Sequence, residues 1–168
     1  NVTDYGALCD GTTNDYTAIN RARTAATAQT NGGTVLFPSN VTGACITNTS
    51  ITFDADVTVK FEGGARLSWP TGIVIIFSGP LDAPSGQIFQ GVGSTEVNNT
   101  EFGATYTGVV NPAWWGLTSG GNSTTNYTAL AVAIRAAAAN SYPHEVHIPP
   151  GTISYTTEMD VNSQSIGY

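Results

Sequence analysis

Asp54 and Asp56 stand two positions apart, the spacing that would put both carboxylates on one face of a strand. Glycoside hydrolysis generally wants two carboxylates several ångströms apart across the bond to be cut, so this pair is the first place to look for acid–base chemistry. Both flank the turn before Val57, however, and a solvated turn is the simpler role for them. Asp10, Asn14 and Asp15 offer oxygen atoms of the kind calcium takes. Against that, Asp10 suits a turn, and Asn14 or Asp15 suits the cap of a following helix. Eliminative cleavage beside a carboxylate needs a base and usually a cation. Lys60, Arg66 and Arg135 are isolated candidates, and none comes with an acidic cluster. His144 and His147 bracket a predicted strand and, three residues apart, would face opposite sides of it, which argues against a shared metal. No Ser-His-Asp or Cys-His set can be assembled, so the catalytic residues stay unassigned and neither cofactor nor metal is expected.

The aromatic residues are the other place to look. Trp69, Trp114, Trp115, Tyr106 and Tyr155 would suit the C–H faces of sugar rings, and aromatics are also frequent anchors of subunit interfaces. Trp69, Trp114, Trp115 and Tyr155 are therefore the candidate glycan or subunit contacts. Of the adjacent Trp114 and Trp115, one is read as core filling and one as interface.

A repeat must position these residues. Asp15-Tyr16-Thr17-Ala18-Ile19, an alanine-rich stretch and Gly33-Thr34-Val35-Leu36-Phe37-Pro38 return as Asn126-Tyr127-Thr128-Ala129-Leu130, a second alanine-rich stretch and Glu145-Val146-His147-Ile148-Pro149. An offset of 111 carries Tyr16 onto Tyr127, Ala22 onto Ala133 and Val35 onto Val146, and Tyr5-Gly6 falls on Trp115-Gly116 with a one-residue slip. One supersecondary unit has been used twice. The expected domains are residues 1–110, a first capping unit with its strands, and 111–168, a second helix-led unit that is incomplete at Tyr168.

Asn1 to Ala7 reads as a short strand. The helix that follows carries Ala18, Ile19, Ala22, Ala25 and Ala26 at helical spacing and is ended by Asn31-Gly32-Gly33. The second helix is predicted over Thr128 to Ala139. A face made mostly of alanine lets a helix lie close on a flat surface, such as the end of a stack of strands. Between Cys45 and Val97 there is no helical period, only short apolar segments separated by turns. In one of them Val57, Val59 and Phe61 point one way while Thr58 and Lys60 point the other. Strands so short and so regularly spaced suit a solenoid. A β-sandwich gives similar strands but has no use for a helix-led unit that returns.

Five basic against twelve acidic side chains give a net charge of −7 with no basic stripe, which would repel a nucleic acid. Only 10% of residues are charged, so the surface must be built from Thr, Ser, Asn and Gly, as in many extracellular and virion β-proteins. The longest apolar run, Ile73 to Phe77, is too short to cross a bilayer, so no membrane insertion is expected. Cys9 and Cys45 are either a disulfide, which needs an oxidising compartment, or two free thiols. Six Asn-x-Ser/Thr sequons begin at Asn1, Asn40, Asn48, Asn98, Asn122 and Asn126. Composition alone would produce several of them, and Asn126 is better used as a helix cap.

The order Asn1-Val2-Thr3-Asp4-Tyr5-Gly6-Ala7, Asp10-Gly11-Thr12-Thr13-Asn14-Asp15-Tyr16-Thr17-Ala18-Ile19 and Gly32-Gly33-Thr34-Val35-Leu36-Phe37-Pro38 resembles the start of right-handed parallel β-helix proteins of the pectate-lyase-like superfamily. Val57 to Gly64, Gly79-Pro80-Leu81-Asp82-Ala83 and Asn111-Pro112-Ala113-Trp114-Trp115-Gly116 look most like its bacteriophage tailspike members. The resemblance implies an all-β solenoid, a right-handed parallel β-helix whose helices cap the ends of its coils. It further implies a homotrimer, other virion proteins as partners and host-surface polysaccharide as ligand. The chain is then expected in a virion or outside the cell, as the structural and adhesion part of a spike or fibre. The alternative is a segment of a polysaccharide lyase or glycosidase. The aspartate set, Gly-His-Gly and Arg-x-Lys segments of the polygalacturonase relatives are absent from this sequence.

Overall fold

A computed structural model describes residues 1–91, 99–139 and 144–155. Its strands are β1 (Thr34–Phe37), β2 (Cys45–Ile46), β3 (Ile51–Phe53), β4 (Thr58–Phe61), β5 (Leu67–Trp69), β6 (Ile75–Phe77), β7 (Leu81–Asp82), β8 (Phe89–Gly91) and β9 (Thr100–Phe102). They form three parallel sheets in the orders β1-β4-β7, β2-β5-β8 and β3-β6-β9. Each circuit of the chain thus adds one strand to every sheet, the arrangement of a parallel β-helix. Register is strict: Val35 lies beside Val59 and Val59 beside Leu81, while Phe53 lies beside Phe77 and Phe77 beside Phe102.

That register turns a sequence alternation into continuous columns. Phe37 stacks on Phe61 with ring centroids 4.6 Å apart, Phe53 on Phe77 at 5.3 Å, and Phe77 on Phe102 at 6.0 Å. All five rings are buried. Each such pair contributes about 0.5–1.5 kcal/mol beyond the area it removes from water. Val57, Val59 and Phe61 are buried while Lys60 is exposed, as the alternation predicts.

Helix α1 (Tyr16–Thr27) buries Ala18, Ile19, Ala22 and Ala26 and packs against β1, covering one end of the first coil. It ends ahead of the predicted glycines. Gly33 serves a different need, since a Cβ there would come within 2.9 Å of Ala26 Cα as the chain enters β1. The predicted strand at Asn1 to Ala7 is instead a 3-10 turn, Val2–Tyr5, capped by the Asn1 side chain on Thr3 N–H and closed by Gly6 at φ 96°. The second unit repeats this turn at Pro112–Trp115, with Asn111 accepting from Ala113 N–H and Gly116 also at φ 96°. Only glycine takes that conformation without steric cost.

Helix α2 (Ser123–Ala137) begins earlier than expected because Asn122, not Asn126, caps it, accepting from Thr124 and Thr125 N–H. Asn126 lies inside the helix, fully buried. The helix packs against β9 and the second 3-10 turn, and the predicted strand near Glu145 is reduced to a parallel bridge between Val110 and Val146. Among the described residues no helix is long and apolar enough to cross a membrane.

Candidate functional site

The β2-β5-β8 sheet carries a recess on the molecule's side wall. Here Ile46, Ser68 and Gln90 of three successive strands stand in register along the recess, with Ser68 itself buried. Arg66, just before β5, reaches across one coil to donate from Nη1 to Gln90 Oε1 at 3.3 Å. The loop between β1 and β2 forms one wall through Val41 and Thr42. Together they enclose a groove of about 370 Å³. Among the described residues that line it, Arg66 is the sole charged one and none is a carboxylate.

The groove offers a guanidinium fork and an amide, with hydroxyls from Thr42 and Ser68. A guanidinium matches carboxylate and sulfate groups with paired donors, and hydroxyl-rich sugars suit the rest. The neighbouring β1-β4-β7 face is different. Lys60 Nζ lies 2.7 Å from Asp82, whose hydrogen bond and charge hold the lysine protonated above its ordinary range. A lysine so held is unsuited to act as a base at neutral pH.

The candidates named from sequence fall into place as follows. Trp69, Trp114 and Trp115 are 1%, 5% and 8% exposed, so both members of the adjacent pair fill the core, where one core ring and one interface ring were expected, and Trp69 is buried with them. Trp115 packs 5.0 Å from Phe89, and Trp114 donates from Nε1 to the Pro84 carbonyl at 3.1 Å. Tyr106 is buried as well, its hydroxyl donating to Val109 O. Tyr155 alone of that set keeps 40% of its surface in water. The structure does not bring it together with the tryptophans as one exposed face. Alternation in the sequence marked these rings as apolar but could not say which side of the wall they took.

The acidic candidates are occupied by the fold. Asp10 accepts from the N–H and hydroxyl groups of Thr12 and Thr13, which hold its carboxyl well below the usual carboxylate range. Asp15 is buried and accepts from the N–H groups of Leu8, Cys9 and Ile46, tying the cap to β2 rather than capping α1 by its side chain. Asn14 donates to Asn48 Oδ1 at 2.7 Å. Asp54 accepts from Arg23 Nη1 at 3.2 Å and from Thr27 Oγ1 at 2.7 Å, latching α1 to the first coil, while Asp56 is exposed. His144 donates from Nε2 to the Phe102 carbonyl at 3.2 Å. Cys9 and Cys45 form a disulfide beside Asp15.

Sequence reasoning missed the Ile46–Ser68–Gln90 row and treated Arg66 as isolated. The one local signal was the apolar pair Leu67 and Phe89, whose burial fixes the register.

Residues 1–60 match the family model described as rhamnogalacturonase A/epimerase, pectate lyase-like. The match spans the first helix-led unit and the first coil and ends within β4. Over that stretch the chain is similar to pectate lyase-like proteins, and its three parallel sheets are consistent with a parallel β-helix. Comparison with curated proteins and with solved structures returned no match.

Proposed function

We propose that this chain is a structural and adhesion module of a virion spike or fibre, a stiff right-handed column that holds host-surface polysaccharide along the β2-β5-β8 groove. Right-handed crossover is the sense almost all parallel strand connections take. Column stiffness follows from stacked strands with shared aromatic ladders. The carrying observation is the groove itself, which crosses three coils and presents Arg66 and Gln90, with Ser68 buried at its floor and no carboxylate among the described lining residues. In this reading three copies stand side by side with other virion proteins at one end.

A second reading, a segment of a secreted polysaccharide lyase or glycosidase, draws support from the Cys9–Cys45 disulfide, since oxidising compartments favour such bonds. A glycan array probed with the purified chain separates the two, followed by assays for new reducing ends and for unsaturated uronate. Binding of acidic polysaccharide without product supports the adhesion role, and Arg66→Ala should weaken it about tenfold, as loss of one charge-assisted contact would. Product release moves the assignment to the enzyme. Silence across acidic and neutral glycans removes both readings.

A further inference from the structure

The six sequons are treated very unequally by the fold, from one that is buried to one whose side chains are wholly free of hydrogen bonds among the described residues. Asn126 is 0% exposed and uses both ends of its carboxamide on the backbone of Thr118. The side-chain oxygens of Asn1 and Asn122 accept from helix-start N–H groups. Asn48 accepts from Asn14, and the hydroxyl of its partner Ser50 accepts from Val74 N–H at 3.0 Å. Asn98 lies outside the described residues. Asn40 differs from all of these. It and Thr42 are both exposed, on the bend joining β1 to β2, and neither side chain makes a hydrogen bond among the described residues.

We infer that Asn40 is an acceptor for an N-linked oligosaccharide. Transfer usually precedes folding, so the fold decides which glycan the finished protein can carry. A sugar on Asn126 would break a buried pair, whereas one on Asn40 projects into water. The second line of support is compartment. Cys45, at the end of the same bend, forms a disulfide with Cys9, a bond favoured in oxidising compartments, among them those in which oligosaccharide transfer takes place. In the reaction Asn40 Nδ2 attacks C1 of the first sugar of a lipid-pyrophosphate-linked oligosaccharide. The C1–N bond forms, the C1–O bond to pyrophosphate breaks, one amide proton passes to a base of the transferase, and the lipid pyrophosphate departs. The inference does not depend on the groove binding polysaccharide.

The test is to send the full chain through the secretory pathway of a eukaryotic host and release its glycans with peptide N-glycosidase in heavy-oxygen water. Mass spectrometry should find labelled aspartate at position 40 and unlabelled asparagine at 126. Asn40→Gln and Thr42→Ala should abolish the label, while Thr42→Ser retains it. Translation into microsomal vesicles gives a readout independent of secretion, as a band shift lost in Asn40→Gln. Unmodified Asn40 in both systems, or label at Asn126 in the disulfide-bonded product, overturns the inference.

Discussion

Trp115 lies 5.0 Å from Phe89 and is 8% exposed, whereas Tyr5, its counterpart in the first unit, keeps 39% of its surface in water. The neighbouring pair diverges the same way: Trp114 is buried, and Asp4 is exposed. The helices follow suit. Where α1 has Asn20, Arg21 and Ala25, outside its buried face, α2 has Ala131, Val132 and Ala136, all buried. Backbone plan and caps are shared, down to Asn1 and Asn111 before the 3-10 turns and Gly6 and Gly116 after them. The first unit is thus finished for water on one side and the second for burial on both. A capping unit becomes a spacer within a column when its outer residues turn apolar, with Ile88 N–H donating to Trp114 O to carry the β2-β5-β8 ladder onward.

A second contrast lies one turn further on. Asp15 and Asn126 occupy equivalent positions and both reach back to pin the segment after the 3-10 turn, Asp15 to Leu8 and Cys9, Asn126 to Thr118. The carboxylate serves three N–H donors, one of them Ile46 of β2. The amide serves one donor and one acceptor. Only the first unit adds a disulfide at this place.

Mutations can break the comparison. Trp115→Ala should cost about 3–5 kcal/mol by leaving a hole against Phe89, while Tyr5→Ala stays within about 0.5 kcal/mol, both read from denaturant midpoints. Cys9→Ser with Cys45→Ser should cost about 3–4 kcal/mol, since the link closes a loop of 36 residues in the unfolded chain. The second unit has no such dependence on reductant. Asp15→Ala should cost about 3 kcal/mol by leaving buried N–H groups unpaired, and Asn126→Ala about 2 kcal/mol. Asp15→Asn sharpens the contrast, because an amide cannot accept from all three donors; an unchanged midpoint would mean the extra bonds are idle.

The smallest effects are in pH. The folded pKa of Asp10 lies below its ordinary 3.8, and that of Glu62 below 4.5, chiefly through N–H donors from Thr13 and Ser39. Stability from these groups is therefore fully present above pH about 4.5 and is lost as pH falls through the folded values. Tyr106, near the second unit, is pushed by burial from 10.0 to about 12. Its contribution is present below pH 10 and is lost as pH rises toward about 12. A midpoint series across pH should show an acid slope flattened by Asp10→Asn and an alkaline slope flattened by Tyr106→Phe.

The sequence made the repeat, the alanine-faced helices and the inward alternation of Val57, Val59 and Phe61 readable, because each is a local pattern of side-chain size. It misled where one residue type serves two settings. Tryptophan marks a core as readily as a surface, and it is the stacked fold that brings Trp69 and Trp115 against the Phe89 ring inside. Asn126 reads as a cap from its neighbours, yet Asn122 reaches the free N–H groups first. The groove was hidden because Ile46, Ser68 and Gln90 become neighbours only when the coils stack.

Amide hydrogen exchange with and without a bound acidic polysaccharide tests the adhesion account most directly. Protection should gather at residues 41–44, 64–68 and 90–91, and should disappear with Arg66→Ala while persisting with Lys60→Ala. Protection centred on the β1-β4-β7 face or around Tyr155, with the groove unchanged, would contradict it.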